Sequence, residues 1–247
     1  NRYATYNGSS PYKTPGMMSL IQHLENHYGT YIPVGGMHEI SKSLYNLAKR
    51  IGVKFNFNSE ITKLKIKNKK ISYLEINKTK RIEADYIISN VDTHHFYNKL
   101  LGKKISHSSL KAERSSSAVI FYWCMKNTNT DLDLHNIFFA SDYKNEFKSI
   151  FEKKELYEDP TVYVNITSKD VKEDAPNNSE NWFVMVNAPH NTNQNWDYEI
   201  KILKKAIIRK LEKILKININ DKLIEEKIYS PVDLDKNTNS YLGSLYG

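Results

Sequence analysis

Apolar residues recur at helical spacing in the first fifth of the chain. Steps of three and four residues predict a short helix over 17–27, ended by Gly29, and a second helix over 37–51, ended by Gly52. The second helix has the more regular stripe, formed by Met37, Ile40, Leu44, Leu47, Ala48 and Ile51.

Alternating apolar residues follow the second helix and predict strands. The range 55–66 predicts one strand, residues 68–70 a turn, and residues 71–76 the second strand of a hairpin. Alternation over 82–88 predicts a third strand. A helix followed by strands is typical of α/β structure.

The second half of the chain has a different pattern. It predicts strands over 118–125, 135–140, 161–168 and 182–187, a short helix over 142–152, and a long helix from Trp196 to Ile214 with lysines on its outer faces. Runs of strands followed by helices predict an α+β layer. A sheet covered by helices on one face would leave its other face free to line a cavity.

Composition and charge narrow the class of protein. The 247 residues are 40 % hydrophobic and 12 % aromatic, which is enough for a folded core. Lysine and arginine number 36 against 28 acidic residues, a net charge of +8. The charge is mostly lysine and spread along the chain, so we do not expect nucleic acid binding, whereas solubility or attraction to an anionic membrane both remain open.

Two absences in the sequence exclude further classes. No run approaches the roughly 18 apolar residues that a spanning helix needs, so we expect a soluble or membrane-peripheral protein. Cys124 is the single cysteine, which excludes an internal disulfide and a multi-cysteine metal site.

Several short motifs have ordinary interpretations. His23 and His27 have metal-ligand spacing, but Leu24 replaces the glutamate of a zincin, and we expect no metal. His94 and His95 predict a loop beside a helix start. Ser115–Ser117 lacks a nucleophile-elbow pattern and predicts a polar loop. We assign no catalytic residue.

Gly35-Gly36 before a helix could admit an anion at the helix N-terminus, but no glycine-rich dinucleotide or P-loop motif occurs.

The chain begins at Asn1 without a cap and stops at Gly247 inside a turn-like stretch. We expect it to be an internal piece of a longer protein.

Three stretches carry a more specific signal. They are RYATYNGSSPY (2–12) continuing to YIPVGGM (31–37); ADYIISNVD (84–92) leading to YNKLL (97–101); and RSSS (114–117), HNIFF (135–139), DPTVYV (159–164) and ENWFVMVNAP (180–189). In this order and spacing they resemble the phytoene desaturase family of flavin-dependent carotenoid desaturases.

The resemblance implies a flavin amine-oxidase-like architecture. Residues 30–92 would form part of a Rossmann-type FAD domain, 1–29 and 93–236 a mixed-sheet substrate domain covered by helices, and 237–247 a return toward the FAD domain. Both glycine-rich FAD segments of the family would lie outside this chain, which alone would be inactive.

The resemblance also implies an activity and its residues. The reaction is removal of two hydrogens from adjacent carbons of an acyclic carotenoid, with FAD as cofactor. Cofactor-binding candidates are Ile61, Ser89 and Asn90. Substrate-wall candidates are the residues His135, Phe138, Phe139, Tyr163 and Trp182, with Phe183; alternation would make about half of the aromatics plain core.

The third stretch is most similar to the branch that desaturates C-3,4 of 1-hydroxycarotenoids, where His135 could contact the hydroxyl group. A cytoplasmic protein in peripheral contact with the inner face of the membrane is expected for so apolar a substrate. The alternatives are another FAD oxidoreductase of this superfamily acting on a retinoid or lipid, and a non-catalytic carotenoid- or lipid-binding module.

Overall fold

Both N-terminal helices form where their apolar patterns place them. The computed structural model describes residues 2–68, 70–102, 108–126 and 128–247. Helix α1 spans Ser19–Tyr28 and α2 spans His38–Arg50. Gly29 and Gly52 follow them with φ of 80° and 89°, a conformation that favours glycine and ends each helix.

A three-stranded antiparallel sheet follows, in the order β1 (Ile61–Lys67), β2 (Lys70–Ile76) and β3 (Lys80–Ile82). The predicted hairpin is therefore confirmed, although the turn residue Lys69, like Asn1, lies outside the described residues.

Parts of two predicted strands in this part of the chain do not form, because the strand predicted over 55–66 begins only at Ile61. Residues 53–57 form no strand; instead Phe55 and Phe57 pack on Tyr45 of α2, with ring centroids 4.6 and 6.2 Å away. The strand predicted over 82–88 ends at Ile82, and Tyr86 and Ile88 are more than 90 % exposed. Alternation alone does not make a strand when no neighbouring strand pairs with it.

The larger sheet has five strands: β4 (Ser117–Lys126), β5 (His135–Phe138), β6 (Val162–Asn165), β7 (Ser179–Ala188) and β8 (Leu223–Tyr229). Their spatial order is β5-β6-β7-β4-β8, and each neighbouring pair is antiparallel. The expected mixed sheet was therefore wrong, because every pairing among these five strands is antiparallel.

The remaining helices are α3 (Thr93–His95), α4 (Tyr143–Lys148), α5 (Trp196–Leu215), α6 (Ile219–Lys222) and α7 (Pro231–Thr238). Short 3₁₀ segments lie at Arg2–Asn7, Gly16–Met18, Ser108–Lys111, Thr167–Lys169, Lys172–Asp174 and Tyr241–Gly243. The predicted helix over 142–152 is α4 with the π turn Ser149–Lys153.

The main core lies between this sheet and α5. Strand β7 alternates between buried and half-buried residues along its whole length, and Leu203, Ile207 and Leu211 of α5 are at most 3 % exposed. The Asn195 side chain caps α5 by accepting from the Tyr198 amide. Which residues are buried in the core therefore follows from the alternation along β7 and from the apolar stripe along α5.

The last residues of the chain pack beside β4. The Ser116 amide donates to Gly8 O at 2.8 Å, and the Leu245 amide donates to Ser116 O at 3.1 Å. Gly243 has φ of 68° and its Cα faces the Pro231 carbonyl, where a Cβ would overlap the oxygen. Close backbone contact thus fixes the last residues of the chain beside β4.

No helix within the described ranges is long and apolar enough to cross a membrane.

Candidate functional site: the open face of the larger sheet

The five-stranded sheet has one covered face and one open face. Residues 119, 121, 123 and 125 of β4 point into the core against α5. The alternate residues point to the other side, where Tyr122 is 45 % exposed and Cys124 is half-buried. This is the free face that the sequence pattern predicts.

An aromatic ring from each strand lies on the open face, and the rings form a stripe across the sheet. We call the five residues the aromatic stripe: His135, Tyr163, Phe183, Tyr122 and Tyr229, in strand order. Successive ring centroids are 6.0, 6.3, 5.4 and 5.8 Å apart. Four strand spacings make the stripe about 19 Å long.

Strand register brings these rings together. Tyr122 faces Phe183 across β4 and β7, and His135 and Tyr163 belong to the directly paired strands β5 and β6. Edge-to-face rings at these separations attract one another beyond simple burial. A row of π faces suits a flat, extended, apolar ligand.

One end of the aromatic stripe is polar. His135 Nδ1 lies 2.7 Å from the Tyr163 hydroxyl and 3.1 Å from Asn165 Nδ2. The same Asn165 amide nitrogen donates to Leu134 O at 2.9 Å. A small hydrogen-bonded cluster therefore occupies the β5 end of the aromatic stripe.

A cavity of about 450 Å³ adjoins the aromatic stripe. Tyr122, Asn165 and Phe183 contribute to its floor, and residues 174–176 to its wall. Its size falls within the range of small-molecule pockets, and apolar atoms make up most of its lining.

A buried charge supports the sheet from the covered side. The Glu180 carboxylate accepts from Trp182 Nε1 at 2.9 Å and Thr128 Oγ1 at 2.8 Å, and it pairs with Lys169 Nζ at 2.9 Å. Burial raises the pKa of Glu180, but these hydrogen bonds and the Lys169 charge outweigh it and lower that pKa below its usual value. Glu180 thereby holds the Trp182 ring in the core.

The predicted wall residues divide between the two faces. His135 and Tyr163 lie on the open face, as does Phe183. Trp182 is 1 % exposed and belongs to the core, and Phe138 packs against the same core. Phe139 follows β5, is 53 % exposed, and contacts Tyr143. Alternation thus removes Phe138 and Trp182 from the open face.

Sequence reasoning missed Tyr122, Asn165 and Tyr229. Tyr122 stands inside a continuous apolar run, which hides the direction of its side chain. Its place on the open face becomes visible only from the register with Phe183 and Lys227.

The predicted cofactor residues lie in the small-sheet region. Ile61 begins β1 opposite Ile76, whereas Ser89 and Asn90 are exposed in the irregular segment after β3. The nearby helix α2 leaves Ile40, Leu44 and Leu47 between 43 and 61 % exposed. An apolar helix face this open is unusual for a surface helix.

The segment after Asn90 meets the end of the chain. Asp92 caps α3 and also accepts from the Tyr241 amide at 3.3 Å. The His94 ring stacks on Tyr241, while the buried His95 lies 3.5 Å from Asp235. Burial, aided by the Arg114 charge, lowers the pKa of His94. A helix starts here as predicted, but His94 and His95 lie within α3 rather than in a loop beside it.

His23 and His27 stack on each other, with centroids 5.6 Å apart. Within the part of the chain that the structure describes, no cluster of three or more histidine, cysteine or acidic residues could hold a metal ion.

The chain belongs to the family of flavin-containing amine oxidoreductases, because residues 2–223 match the model of that family. It is 49 % identical, over 248 residues, to a 1-hydroxycarotenoid 3,4-desaturase of a Flavobacterium species, covering 100 % of this chain and 51 % of that protein. The resemblance to carotenoid desaturases is thereby confirmed.

A more distant relative and a solved structure also match this chain. A phytoene desaturase of Cercospora nicotianae is 27 % identical over 281 residues, covering 98 % of this chain and 45 % of the relative. The crystal structure of an oxidoreductase from Methanosarcina mazei superposes with a TM-score of 0.57 at 15 % identity, covering 86 % of this chain and 46 % of that one, and shares the fold. The chain spans about half the length of the curated relatives it matches.

Proposed function

We propose that this chain is part of an FAD-dependent carotenoid desaturase, and that its substrate is a 1-hydroxycarotenoid desaturated at C-3,4. The observation that carries the proposal is the aromatic stripe on the open face of the sheet. An acyclic polyene has few polar groups, so a row of aromatic faces beside an apolar cavity is the surface that suits it. The relative with 49 % identity is named for this reaction.

The role of the sheet is to position the substrate and exclude water. Tyr163, Phe183 and Tyr122 would contact successive segments of the polyene and fix its direction across the strands. No residue of this chain is assigned a proton-transfer step.

In this proposal, residues 30–92 form part of the FAD site. The exposed Ser89 hydroxyl and Asn90 amide would offer hydrogen bonds to FAD, and the apolar Ile61 would offer a contact to one of its rings. When bound, FAD supplies the two-electron redox capacity that the side chains lack.

The open apolar face of α2 supports the partial Rossmann assignment. In that arrangement, portions of the longer protein cover Leu44 and Leu47 and pair with the extended residues 53–57 and 84–88. The contacts of Tyr241 with Asp92 and His94 are consistent with 237–247 returning toward the FAD domain.

Peripheral contact with an anionic membrane surface is proposed through α5. Lys201, Lys205, Arg209 and Lys213 are exposed at steps of four residues along its outer face. Like charges at this spacing repel one another, and anionic lipid would relieve the repulsion. The inner face of the membrane is the expected side.

The test is product analysis with the full-length protein reconstituted with FAD. We expect a 1-hydroxycarotenoid to lose two hydrogens, seen by mass and by a red-shifted visible spectrum, and phytoene to react poorly. Conversion of phytoene with no reaction of the hydroxylated substrate contradicts the C-3,4 assignment. Activity only on retinoids or lipid alcohols, or carotenoid binding without any need for FAD, contradicts the desaturase assignment.

A further inference from the structure

The polar cluster at the end of the aromatic stripe has a defined hydrogen-bond direction. Asn165 Nδ2 donates to Leu134 O at 2.9 Å, which fixes the orientation of the amide because a carbonyl oxygen in that place would face another oxygen. The amide nitrogen then also faces His135 Nδ1 at 3.1 Å. An amide nitrogen only donates, so Nδ1 must accept.

This direction assigns the tautomer of His135. Nδ1 has a single lone pair, so it accepts mainly from the Tyr163 hydroxyl at 2.7 Å, while the Asn165 N–H donor at 3.1 Å disfavours a proton on Nδ1. The proton of the neutral imidazole is therefore assigned to Nε2. Among the hydrogen bonds of the described residues, none uses Nε2, and the His135 side chain is exposed. A single oriented N–H donor is thus presented beside the first ring of the aromatic stripe.

We infer that His135 Nε2–H binds the oxygen of a neutral hydroxyl group at one end of the extended apolar ligand. His135 is then a specificity-determining residue, and Tyr163 and Asn165 are positioning residues that keep the donor on Nε2. This inference rests on the proposed function and deepens it, because it states how the hydroxylated substrate is distinguished from one that lacks the hydroxyl group.

The donor lies on the edge strand β5, where a ligand end can reach it without crossing the sheet. The rest of the ligand then lies over Tyr163 and Phe183 toward β4. The hydroxyl position thereby fixes which bond of the polyene lies at a given distance along the aromatic stripe, so the same contact that selects the substrate also sets its register.

The test compares a 1-hydroxycarotenoid with its unhydroxylated counterpart in the full-length protein reconstituted with FAD. His135→Phe retains a ring but removes the donor, and His135→Gln retains an N–H donor at a similar reach. Ile137→Ala is the matched control, because Ile137 lies on the same face of β5, two residues away, and is 38 % exposed. Both kcat/KM and the dissociation constant are measured for each substrate.

We expect His135→Phe to weaken binding of the hydroxylated substrate about tenfold and to leave the unhydroxylated one nearly unchanged. His135→Gln should recover much of the preference, Tyr163→Phe should reduce it partly, and Ile137→Ala should weaken both substrates alike. An unchanged preference in His135→Phe, with carotenoid turnover intact, overturns this inference alone. Absence of turnover and binding for both carotenoids in the wild-type protein overturns the proposed function as well.

Discussion

Lys210 of α5 donates to Asp159 Oδ1 at 2.6 Å across the end of the β5–β6 connection. The same ammonium group donates to Pro160 O at 2.6 Å and to Phe139 O at 3.1 Å. One partly buried cation therefore joins the long helix to the edge of the sheet that carries His135.

This ion pair predicts an acid-sensitive contribution to stability. Burial raises the pKa of Asp159, but hydrogen bonds from Lys210 and from the Ser141 amide and hydroxyl outweigh it and lower the pKa to about 2. Because the folded-state pKa lies below the ordinary aspartate value of 3.8, the contribution is present above about pH 4 and is lost as the pH falls toward 2.

We expect Asp159→Asn to lower the free energy of unfolding by about 1 kcal/mol at pH 7, because the pair is only partly shielded from water. The difference from wild type should shrink as the pH falls to 3, which urea unfolding at several pH values measures. The exposed Asp131→Asn serves as control and should change little at any pH. A difference that is constant with pH would contradict the role of the charge.

The core of α5 gives a second prediction. Ile207 is fully buried and Ile214, on the same helix, is 52 % exposed. We expect Ile207→Ala to cost about 2–5 kcal/mol, through lost burial and the cavity left behind, and Ile214→Ala to stay within about 0.5 kcal/mol. Thermal or urea unfolding of both variants tests this, and equal losses would mean that α5 does not pack as described.

Gly243 gives a third prediction. Its φ of 68° disfavours other residues, and an added Cβ would overlap Pro231 O. We expect Gly243→Ala to destabilise the protein by at least about 1–3 kcal/mol. Gly16→Ala is the control, since Gly16 has no positive φ and open space around it. Similar melting temperatures for the two variants would contradict the close approach.

The aromatic stripe predicts a change in ligand affinity. Phe183→Ala in the full-length protein should weaken carotenoid binding about tenfold, because the ring covers the middle of the polyene. Tyr198→Ala removes a 59 % exposed ring on the helix-covered side and should have no effect. The measurement is fluorescence or absorbance titration with the carotenoid. Equal affinities of the two variants would show that the aromatic stripe is not part of the carotenoid site.

Membrane contact through α5 predicts a charge effect. Lys205→Glu with Lys213→Glu should abolish flotation with vesicles of anionic lipid, and added salt should weaken binding of the wild type. Lys65→Glu with Lys67→Glu changes the net charge equally on the small sheet and should leave flotation intact. Loss of binding in both double variants would point to net charge alone.

Periodicity predicted most of the larger sheet and its helices. Strands β4 to β7 and helix α5 form within a few residues of their predicted bounds, because their apolar residues are buried against partners within the chain. Helix α2 also forms within one residue of its predicted bounds, although its apolar face is exposed. Residues 55–57 and 83–88 have the same alternation but pair with no strand among the described residues, and these parts of the predicted strands do not form. Local pattern therefore predicts a strand only where a neighbour pairs with it.

The site was less predictable than the fold. His135 and Tyr163 were candidates from the sequence, and the structure brings them together with Asn165. Trp182 was also a candidate from the sequence, but its side chain lies in the core. A shift of one residue along a strand moves the side chain to the opposite face of the sheet. Tyr122 could not be found from its apolar surroundings, since its neighbours on the open face come from strands β7 and β8, far along the chain.

The position of β4 between β7 and β8 also governs how the chain reaches its native state. Both strands that flank β4 are synthesised later, and β8 follows roughly one hundred residues behind it. At ribosomal speeds of about 5–20 residues per second, the apolar β4 waits about 5–20 s for its second neighbour. The edge that pairs with β8 is open to other chains for that whole interval, and the Phe121 and Trp123 face is open until α5 has been synthesised. Yield on overexpression should therefore depend on chaperone supply and on a low growth temperature.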